Sequence, residues 1–577
     1  MAIYHNINQG KRKMTDKKHE LPDFIKDLAR DVLRPPLLHG CGYTTEDLEK
    51  PRIGIANTWT DLNPGHIHLN SIADAVISGV RGAGMTPFGF NTIAPCDGLG
   101  EAHEGMRYIL PSRDIIAASI EIMAKVNQLE GMVLIGSCDK IVPALLMAAA
   151  RVNVPSIIIT GGYHPPFCYS DPSFPEETEF AFPEIGKFVS AQMNGKISQD
   201  ELKSVIRNII SGPGACPELG TAMTMQGMTE ALGMSLPMSS ILPGTSSEKM
   251  DFAFKTGEAL RNLVDNNIMP SDIMTLNSFK NAITVLMSIG GSTNAILHLP
   301  AIAHELDVEL PLGLFDELST KTPQICNVKP NGTRAINALM ESGGMPAVMK
   351  NLGGLLYGDV KTVTGKTLDE DLADIAITDS DVIRPADRPF APDGGILVLK
   401  GNLCPEGSII KKSAIPGSAT YFKGPARVFD SEEDAIDNML NQTVKSGDCV
   451  VIRYEGPIGG PGMREMSVSG HIMQLIGLGE TCAMITDGRF SGTNYGFLAG
   501  HLVPEAAAGG LLAIVEDGDT IEIDVIKKTI DLDIPKEVIE KRFLKWKAHG
   551  QEYKKGVLSW YSGIVSSSDK GAVLGPE

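Results

Sequence analysis

Strand and helix patterns alternate between residues 51 and 162, and this alternation constrains the fold more than any other feature of the sequence. Short apolar runs at Arg52–Asn57, Met132–Gly136 and Pro155–Thr160 are typical of buried strands, and stretches with helical spacing of apolar residues separate them. Units of this kind join parallel strands through crossover helices. The sequence therefore predicts an α/β fold whose N-terminal part is an α/β/α domain with a largely parallel sheet.

The character of the sequence changes near residues 385–400, where RPADRPFAPDGG is rich in Pro and Gly and resembles a linker. Short apolar runs separated by turns follow it, among them CVVIRYEGP, CAMITDGRF, LLAIVEDGD and TIEIDVIKKTIDLDI. These runs favour a mainly β domain of barrel-like form. We predict three parts: a disordered extension at 1–20, the α/β domain at 21–385 and the mainly β domain at 386–577.

Two local predictions concern the α/β domain. Residues 163–200 are rich in Pro, aromatic and acidic residues, which indicates a long irregular excursion. Ser112 is expected to cap a helix. Four apolar side chains of that helix share one face by their spacing: Ile116, Ile120, Met123 and Val126.

Composition excludes several classes of protein. The chain has 577 residues with 51 basic and 70 acidic side chains, and the resulting net charge of −19 disfavours a nucleic-acid partner. No apolar run approaches the ~18 residues of a membrane span, and the N-terminus lacks the apolar core of a secretory signal. Nine cysteines in so long a chain do not form a disulfide framework. We expect a cytoplasmic protein, and the basic stretch before Met14 leaves either Met1 or Met14 as its start.

Three cysteines, Cys96, Cys138 and Cys216, lie in loops beside acids, glycines or prolines, 42 and 78 residues apart. This spacing fits neither zinc fingers nor ferredoxins, and isolated cysteines are usually small buried apolar residues. Cys138, however, follows a predicted parallel strand, where ligand-binding loops gather. Asp97 and Asp139 directly follow two of the cysteines, and a thiolate beside a carboxylate requires a nearby cation. Soft sulfur next to hard oxygen suits an iron centre close to Mg²⁺.

Two further polar residues lie in glycine-dense loops of the second half. Glu465 ends YEGPIGGPGMRE, and Ser491 lies in ITDGRFSGT after a predicted strand. Glycines of this density allow the backbone to approach a ligand closely. Considered alone, Glu465 is a solvated acid and Ser491 a turn residue.

Longer stretches resemble the family of dihydroxy-acid and 6-phosphogluconate dehydratases, which also includes sugar-acid dehydratases. The resemblance extends from about residue 20 to the C-terminus and is carried, in order, by PCDGLGEAHEGMRYILPSRDIIAASIE, GSCDKIVPALLMA, GPGACPELGTAMTM, GGSTNAILHL, YEGPIGGPGMREM, ITDGRFSGTNYG, HLVPEAAAGG and SSSDKGAV. It implies dehydration of a 2,3-dihydroxy carboxylic acid to a 2-oxo acid. We favour 2,3-dihydroxy-3-methylbutanoate, which yields 3-methyl-2-oxobutanoate in valine and isoleucine biosynthesis. A sugar-acid dehydratase is the alternative, and a non-catalytic cluster-binding sensor is a more remote one.

The resemblance also implies cofactors and roles for individual residues. The two cysteines of the CDK and GxC motifs, Cys138 and Cys216, correspond to ligands of an iron–sulfur cluster, and Ser491 corresponds to the family's base. An ammonium has no lone pair for a metal, and the family resolves this by carbamylating its lysine. The residues that correspond to the Mg²⁺ site are Asp97, Asp139, Lys140 and Glu465.

The cluster type depends on one departure from the family pattern. Members with a 2Fe–2S cluster take a third thiolate from a P-C-N-x-H-L stretch, and here Gly65 stands at that cysteine's position. Cys96 offers a compensating thiol and is placed as in the phosphogluconate dehydratases, which resemble 4Fe–4S enzymes. We therefore favour a 4Fe–4S cluster, with 2Fe–2S as the alternative. We also expect a homodimer or a dimer of dimers.

Overall fold

A computed structural model describes residues 22–175, 177–415, 419–490, 495–548 and 553–575. The chain divides into a short unit that ends at Pro51 and a large unit, Arg52–Glu577. The short unit contains a π-helical turn at Ala29–Leu33 and three α-helices: α1 (Asp23–Leu28), α2 (Pro35–Gly40) and α3 (Thr45–Leu48). The extension predicted at 1–20 lies outside the described residues, and the boundary near residue 385 stays a prediction.

The large unit begins with a four-stranded sheet in which all strands are parallel, in the order β2-β1-β3-β4. This confirms the predicted parallel sheet. Its strands are β1 (Arg52–Asn57), β2 (Thr86–Asn91), β3 (Gly131–Gly136) and β4 (Ser156–Thr160). Four helices lie between or after these strands: α4 (Leu69–Gly82), α5 (Asp97–Gly100), α6 (Ile109–Asn127) and α7 (Ile141–Val152).

Helix α6 corrects one prediction. It begins at Ile109, and Ser112 lies inside it with its hydroxyl donating to the Ile109 carbonyl at 2.7 Å, so Ser112 is not a cap. Ile116 and Ile120 are buried as their spacing suggests, whereas Met123 is 37% exposed and Val126 is 73% exposed. Helical spacing identifies a shared face, but the neighbouring elements decide how much of that face is covered.

Residues 163–200 are more regular than predicted. They contain a two-stranded hairpin and a helix, and these pack through an aromatic cluster in which the Phe180 and Phe188 rings are 4.8 Å apart. The apolar side chains supply a small core of their own, so the prediction of an irregular excursion is wrong. The elements here and just beyond are β5 (Phe167–Cys168), β6 (Glu179–Phe180), α8 (Ile185–Met193) and α9 (Gln199–Asn208).

A helical layer follows and supplies much of the core. All residues of α10 are buried, including Met223, Met225 and Met228. The layer consists of α10 (Thr221–Ala231), α11 (Ser247–Asp265), α12 (Pro270–Ile273), α13 (Leu276–Ile289), α14 (Ala295–His304), α15 (Leu312–Lys321), α16 (Ile336–Glu341), α17 (Gly344–Leu352) and α18 (Leu368–Leu372).

The last part of the chain forms a mixed eight-stranded sheet in the order β14-β13-β9-β10-β11-β12-β8-β7. Strands β9 to β12 run parallel and the remaining pairings are antiparallel. A bridge between Lys400 and Thr529 links the two edges, so the sheet is nearly closed and the predicted barrel-like domain is confirmed. The strands are β7 (Ile396–Leu399), β8 (Gly407–Lys411), β9 (Tyr421–Phe429), β10 (Cys449–Ile452), β11 (Ala483–Thr486), β12 (Phe497–Val503), β13 (Thr520–Asp524) and β14 (Thr529–Asp533).

Four helices accompany the barrel: α19 (Glu432–Leu440), α20 (Ser467–Leu475), α21 (Lys536–Phe543) and α22 (Val557–Ile564). The run LLAIVEDGD, predicted as a strand, instead contains a 3₁₀ turn at Leu511–Ile514. Within the described part of the chain, no helix combines the length and the apolar character that crossing a membrane requires.

Candidate active site

The loops that follow β1, β3 and β4 meet at one edge of the parallel sheet. Cys138 lies in the loop directly after β3. The segment that carries Cys216 reaches the same edge. The Gly214 amide donates to the Pro64 carbonyl at 3.0 Å, and the Ala215 amide donates to the Gly162 carbonyl at 2.9 Å. Cys216 therefore lies beside the loops after β1 and β4. The carboxyl ends of parallel strands gather the predicted site residues, as expected for this kind of sheet.

Lys140 is the centre of a buried charge cluster. Its side chain is 1% exposed, and its Nζ donates to the Asp97 carboxylate and, at 2.8 Å, to Glu465 Oε2. Asp139 Oδ2 lies 4.0 Å from the same nitrogen. One ammonium thus holds three carboxylates, two from the α/β part and one from the barrel.

Glu465 is held from the other side by Arg489 and Asn294. Arg489 Nη1 lies 3.0 Å from Glu465 Oε2 and 2.8 Å from Asn294 Oδ1, and Asn294 Nδ2 donates to Glu465 Oε1 at 3.0 Å. The backbone brings the two charged residues together, since Glu465 and Arg489 form a β-bridge between the loops after β10 and β11. The three side chains form a closed triangle that fixes the orientation of the Glu465 carboxylate.

Burial and the charges in this cluster shift the pKa values of its three carboxyl groups. Burial opposes ionisation of Glu465, but attraction by Lys140 and Arg489 outweighs it and lowers the pKa of Glu465 to about 2. Burial and the charge of Asp97 raise the pKa of Asp139 to about 7. Burial also raises the pKa of Asp97, against the attraction of Lys140. Three carboxylates share two buried cations, so the donor set suits an additional cation with oxygen ligands, such as Mg²⁺.

Cys96, Cys138 and Cys216 are free thiols and lie close enough to influence one another. Burial raises the pKa of Cys138, and the charges of Cys96 and Cys216 raise it further. Burial and the charge of Glu218 raise the pKa of Cys216, and Cys96 adds a smaller effect in the same direction. Buried thiols that oppose one another's ionisation stay neutral by themselves, and a bound iron centre would stabilise their thiolates. The donor set therefore suits an iron–sulfur cluster.

The loop after β1 sets the position of Cys138. The Cys138 amide donates to His66 Nε2 at 3.0 Å, so the other ring nitrogen, Nδ1, carries the proton and donates to the Thr58 carbonyl at 2.7 Å. A Cβ on Gly65 would lie 2.5 Å from Cys138 Sγ. Any side chain at residue 65 would therefore require the Cys138 thiol to move from this position.

The carboxylates point at Lys140 and do not form an empty metal cage. Among the described residues, no three His, Cys, Asp or Glu side chains surround one point as ligands of a single metal ion. The predicted Mg²⁺ ligands are thus brought together around an ammonium, and their roles as ligands stay a prediction. Ser491 lies outside the described residues, so its role stays a prediction as well.

Sequence reasoning missed two members of the charge cluster. Asn294 lies in GGSTNAILHL and Arg489 in ITDGRFSG, so both stood within stretches already recognised. The sequence carried no signal for Arg489, because its complete burial becomes visible only in the folded chain.

Comparison with known families identifies the chain. Residues 50–371 match the sequence profile described as "Dihydroxy-acid/6-phosphogluconate dehydratase N-terminal", and residues 381–572 match the corresponding C-terminal profile. The chain belongs to this dehydratase family. The resemblance predicted from the motifs is confirmed.

Curated relatives of this dehydratase family extend over nearly the whole chain. A protein of Pyrococcus abyssi named dihydroxy-acid dehydratase is 46% identical over 554 residues, covering 96% of this chain and 99% of the relative. Proteins of the same name from Acetivibrio thermocellus and Ignicoccus hospitalis are 45% and 44% identical and cover 96% and 93% of this chain, and 99% and 97% of their own lengths.

Proposed function

We propose that this protein is a hydro-lyase that removes water from a 2,3-dihydroxy carboxylic acid and releases the 2-oxo acid. The favoured substrate is 2,3-dihydroxy-3-methylbutanoate, on the route to valine and isoleucine. The observation that carries the proposal is the buried cluster in which Lys140 holds Asp97, Asp139 and Glu465, with Cys96 and Cys138 directly before two of these carboxylates in the chain. The names of the full-length relatives support the same reaction.

Two cofactors suit this site. A 4Fe–4S cluster on Cys96, Cys138 and Cys216 would have one iron without a protein ligand, and the room that Gly65 leaves beside Cys138 supports this assignment over a 2Fe–2S cluster with a ligand at residue 65. The residues that would hold Mg²⁺ are Asp97, Asp139, Glu465 and a carbamylated Lys140. Together the cofactors supply Lewis acidity for loss of hydroxide and positive charge beside the substrate carboxylate.

Lys140 becomes a possible metal ligand only when its amine is converted into a carbamate. The Lys140 ammonium first releases one proton to water, and the neutral amine then attacks carbon dioxide and releases a second proton as the carbamate forms. The charge of the side chain thereby changes from positive to negative. Asp97 and Glu465 then lose the ammonium that holds them. Asp97, Asp139, Glu465 and the carbamate would then be the residues that hold Mg²⁺, whose charge would offset theirs.

Arg489 and Asn294 keep Glu465 in place during this change because they contact it independently of Lys140. We propose that Ser491 accepts the proton from C2 of the substrate. A serine is a weak base at its ordinary pKa and requires nearby positive charge to ionise. Arg489 lies two residues before it in the sequence.

We further propose a cytoplasmic homodimer or dimer of dimers. Nine free cysteines are typical of a reducing compartment.

The function is tested by turnover. We expect anaerobically purified protein, supplied with iron, sulfide, bicarbonate and Mg²⁺, to form 3-methyl-2-oxobutanoate from 2,3-dihydroxy-3-methylbutanoate. A Cys138→Ser variant should be inactive, and a variant of an exposed cysteine, Cys168→Ser, should match the parent. Loaded protein that dehydrates only a five-carbon aldonate would favour the sugar-acid alternative. Loaded protein that dehydrates neither acid would contradict the proposal.

The cluster type is tested by iron content. We expect about four iron atoms per chain in the parent protein, because three gathered thiols suit a four-iron cluster, and a marked loss of iron in Cys96→Ser. Iron analysis and the visible absorption spectrum of the two proteins measure this. About two iron atoms per chain, retained fully by Cys96→Ser, would show that Cys96 is not a ligand and that the cluster is 2Fe–2S.

A further inference from the structure

One half of the Arg489 guanidinium has no hydrogen-bond partner. The side chain is fully buried, its Nε donates to the Met463 carbonyl at 2.8 Å, and its Nη1 contacts Asn294 and Glu465. The remaining nitrogen, Nη2, is buried and has no partner among the residues that the structure describes. Such a donor has lost its contact with water without gaining another acceptor, which is unfavourable, most of all for a charged group.

His298 carries a second buried donor of this kind. Its side chain is fully buried, and its Nδ1 lies 3.3 Å from Arg113 Nη1. A guanidinium only donates hydrogen bonds, so Nδ1 is the acceptor and the ring proton is on Nε2. In the described part of the chain, Nε2 has no hydrogen-bond partner. His298 is therefore a neutral imidazole whose one N–H group lacks an acceptor.

Contacts near the C-terminus fix this tautomer. Arg113 Nη2 donates to the carbonyls of Gly571 and Ala572 at 2.9 and 2.8 Å, and its Nε donates to Asp114 at 3.1 Å. Both carbonyls belong to the motif SSSDKGAV, and Arg113 belongs to PSRDIIAASIE. These contacts hold the guanidinium so that Nη1 is directed at His298, and two motifs of the sequence thereby keep the proton on Nε2.

Both donors belong to residues around Lys140. Lys140 Nζ and Arg489 Nη1 contact the same atom, Glu465 Oε2, at 2.8 and 3.0 Å. His298 lies one helical turn after Asn294, on the same face, and Asn294 donates to the other oxygen of the Glu465 carboxylate at 3.0 Å. Burial lowers the pKa of His298, and cations that include Lys140 and Arg489 lower it further, so these charges act on the ring.

The missing partner is an acceptor that forms inside the site. Arg489 and His298 offer only donors here, and neither side chain is exposed to solvent. Lys140 is itself 1% exposed, and carbamylation turns its end from a donor into an acceptor with two oxygens. A metal uses only part of the acceptor capacity of such a ligand, and metal-bound carboxylates are usually hydrogen-bonded by further protein groups as well.

We propose that Arg489 Nη2 and His298 Nε2 hold the carbamate of Lys140. The inference rests on the proposed function, because that function includes the carbamate. In the modification, Lys140 Nζ forms a bond to the carbon of carbon dioxide, two protons leave the former ammonium for water, and the side chain gains one negative charge. Each donor then has an acceptor, and the permanent charge of Arg489 offsets part of the negative charge. Both are positioning residues that act through Lys140.

Carbon-13 NMR with labelled bicarbonate tests this role on the full-length protein with its cluster and Mg²⁺. We expect His298→Leu to raise the carbon dioxide concentration that half-saturates Lys140 about 10- to 100-fold, as for loss of a hydrogen bond to a charged group. His298→Gln keeps an N–H donor and should restore most of the parent response. His304→Gln changes an exposed histidine at the end of the same helix and should match the parent.

Arg489→Lys is a second variant that does not depend on His298. Lysine keeps a positive charge near Glu465 but has no second nitrogen, so we expect the carbamate to require more carbon dioxide here too. Because Arg489 also holds Glu465, Mg²⁺ affinity is measured by calorimetry with and without bicarbonate. The loss of Mg²⁺ affinity should be larger with bicarbonate, since only then is the carbamate present.

Three results would contradict the inference. An equal response to carbon dioxide in the parent, His298→Leu and Arg489→Lys would overturn it and leave the carbamate and the dehydratase intact. An equal shift in His298→Leu and His298→Gln would assign His298 a packing role and overturn its role as a donor. Absence of a carbamate signal in the parent would refute the carbamate itself, and turnover of the dihydroxy acid by the same sample would show that dehydration proceeds without it.

Discussion

Replacing Lys140 with methionine should reduce dehydration below detection and destabilise the fold by about 3–5 kcal/mol. The size of the destabilisation follows from burial, because removing one partner of a buried ion pair leaves charges without compensation. In this protein the carboxylates of Asp97 and Glu465 would lose the ammonium that contacts both. Urea unfolding of the protein without cofactors, in which Lys140 is an ammonium, measures the stability. Formation of the 2-oxo acid by the loaded protein measures the activity.

A Lys140→Arg variant separates the charge of the side chain from its chemistry. Arginine keeps a positive charge near the carboxylates but does not form a carbamate, so we expect more stability than in Lys140→Met and still no dehydration. Carbon-13 NMR with labelled bicarbonate should show a carbamate signal in the parent and none in this variant. Turnover by Lys140→Arg within a few-fold of the parent would rule out a required carbamate.

Ser491→Ala should lower kcat about 10²–10⁴-fold, the usual effect of removing a general base. We expect the variant to retain iron, Mg²⁺ and substrate binding, because serine is proposed only to accept the C2 proton. Exchange of the C2 hydrogen with deuterated solvent reports that step directly and should be lost together with formation of the 2-oxo acid.

A serine remote from the proposed chemistry provides the control for this variant. Ser562 lies on α22 and donates to the Ser559 carbonyl at 3.2 Å, so Ser562→Ala should turn over like the parent. If Ser491→Ala retains C2 exchange within a few-fold of the parent, another group is the base. If it loses iron or substrate binding, Ser491 has a structural role.

The strands of both sheets were largely predictable because burial of a strand is encoded by short apolar runs. β1, β3 and β4 lie within one residue of the runs at Arg52–Asn57, Met132–Gly136 and Pro155–Thr160. The predictions of secondary structure failed where contacts with neighbouring elements outweigh the local pattern of apolar residues. Ser112 lies inside α6, which begins at Ile109, and Arg113 next to it is buried against the carbonyls of Gly571 and Ala572 near the opposite end of the chain.

In the candidate site, too, the sequence predicted some features and only the folded chain showed others. Motifs identified the residues that carry chemistry, but they did not identify the partners that hold these residues. Arg489 contacts Asn294 across 195 positions of the sequence, and no local pattern encodes such a pair. Glu218 lies within GPGACPELGTAMTM, yet its burial becomes visible only in the folded chain.

The sequence by itself determined the α/β and barrel classes, the membership in a dehydratase family and the set of thiols and carboxylates available for chemistry. Only the tertiary structure decided that Lys140 lies between Asp97 and Glu465, which are 43 and 325 positions away from it. It also decided that the thiol of Cys138 occupies the space that a side chain on Gly65 would need. The physical reason is that periodicity records which face of an element is buried, a local property. The strength of a charge interaction depends on distance and on exclusion of water, and both arise only when distant segments pack together.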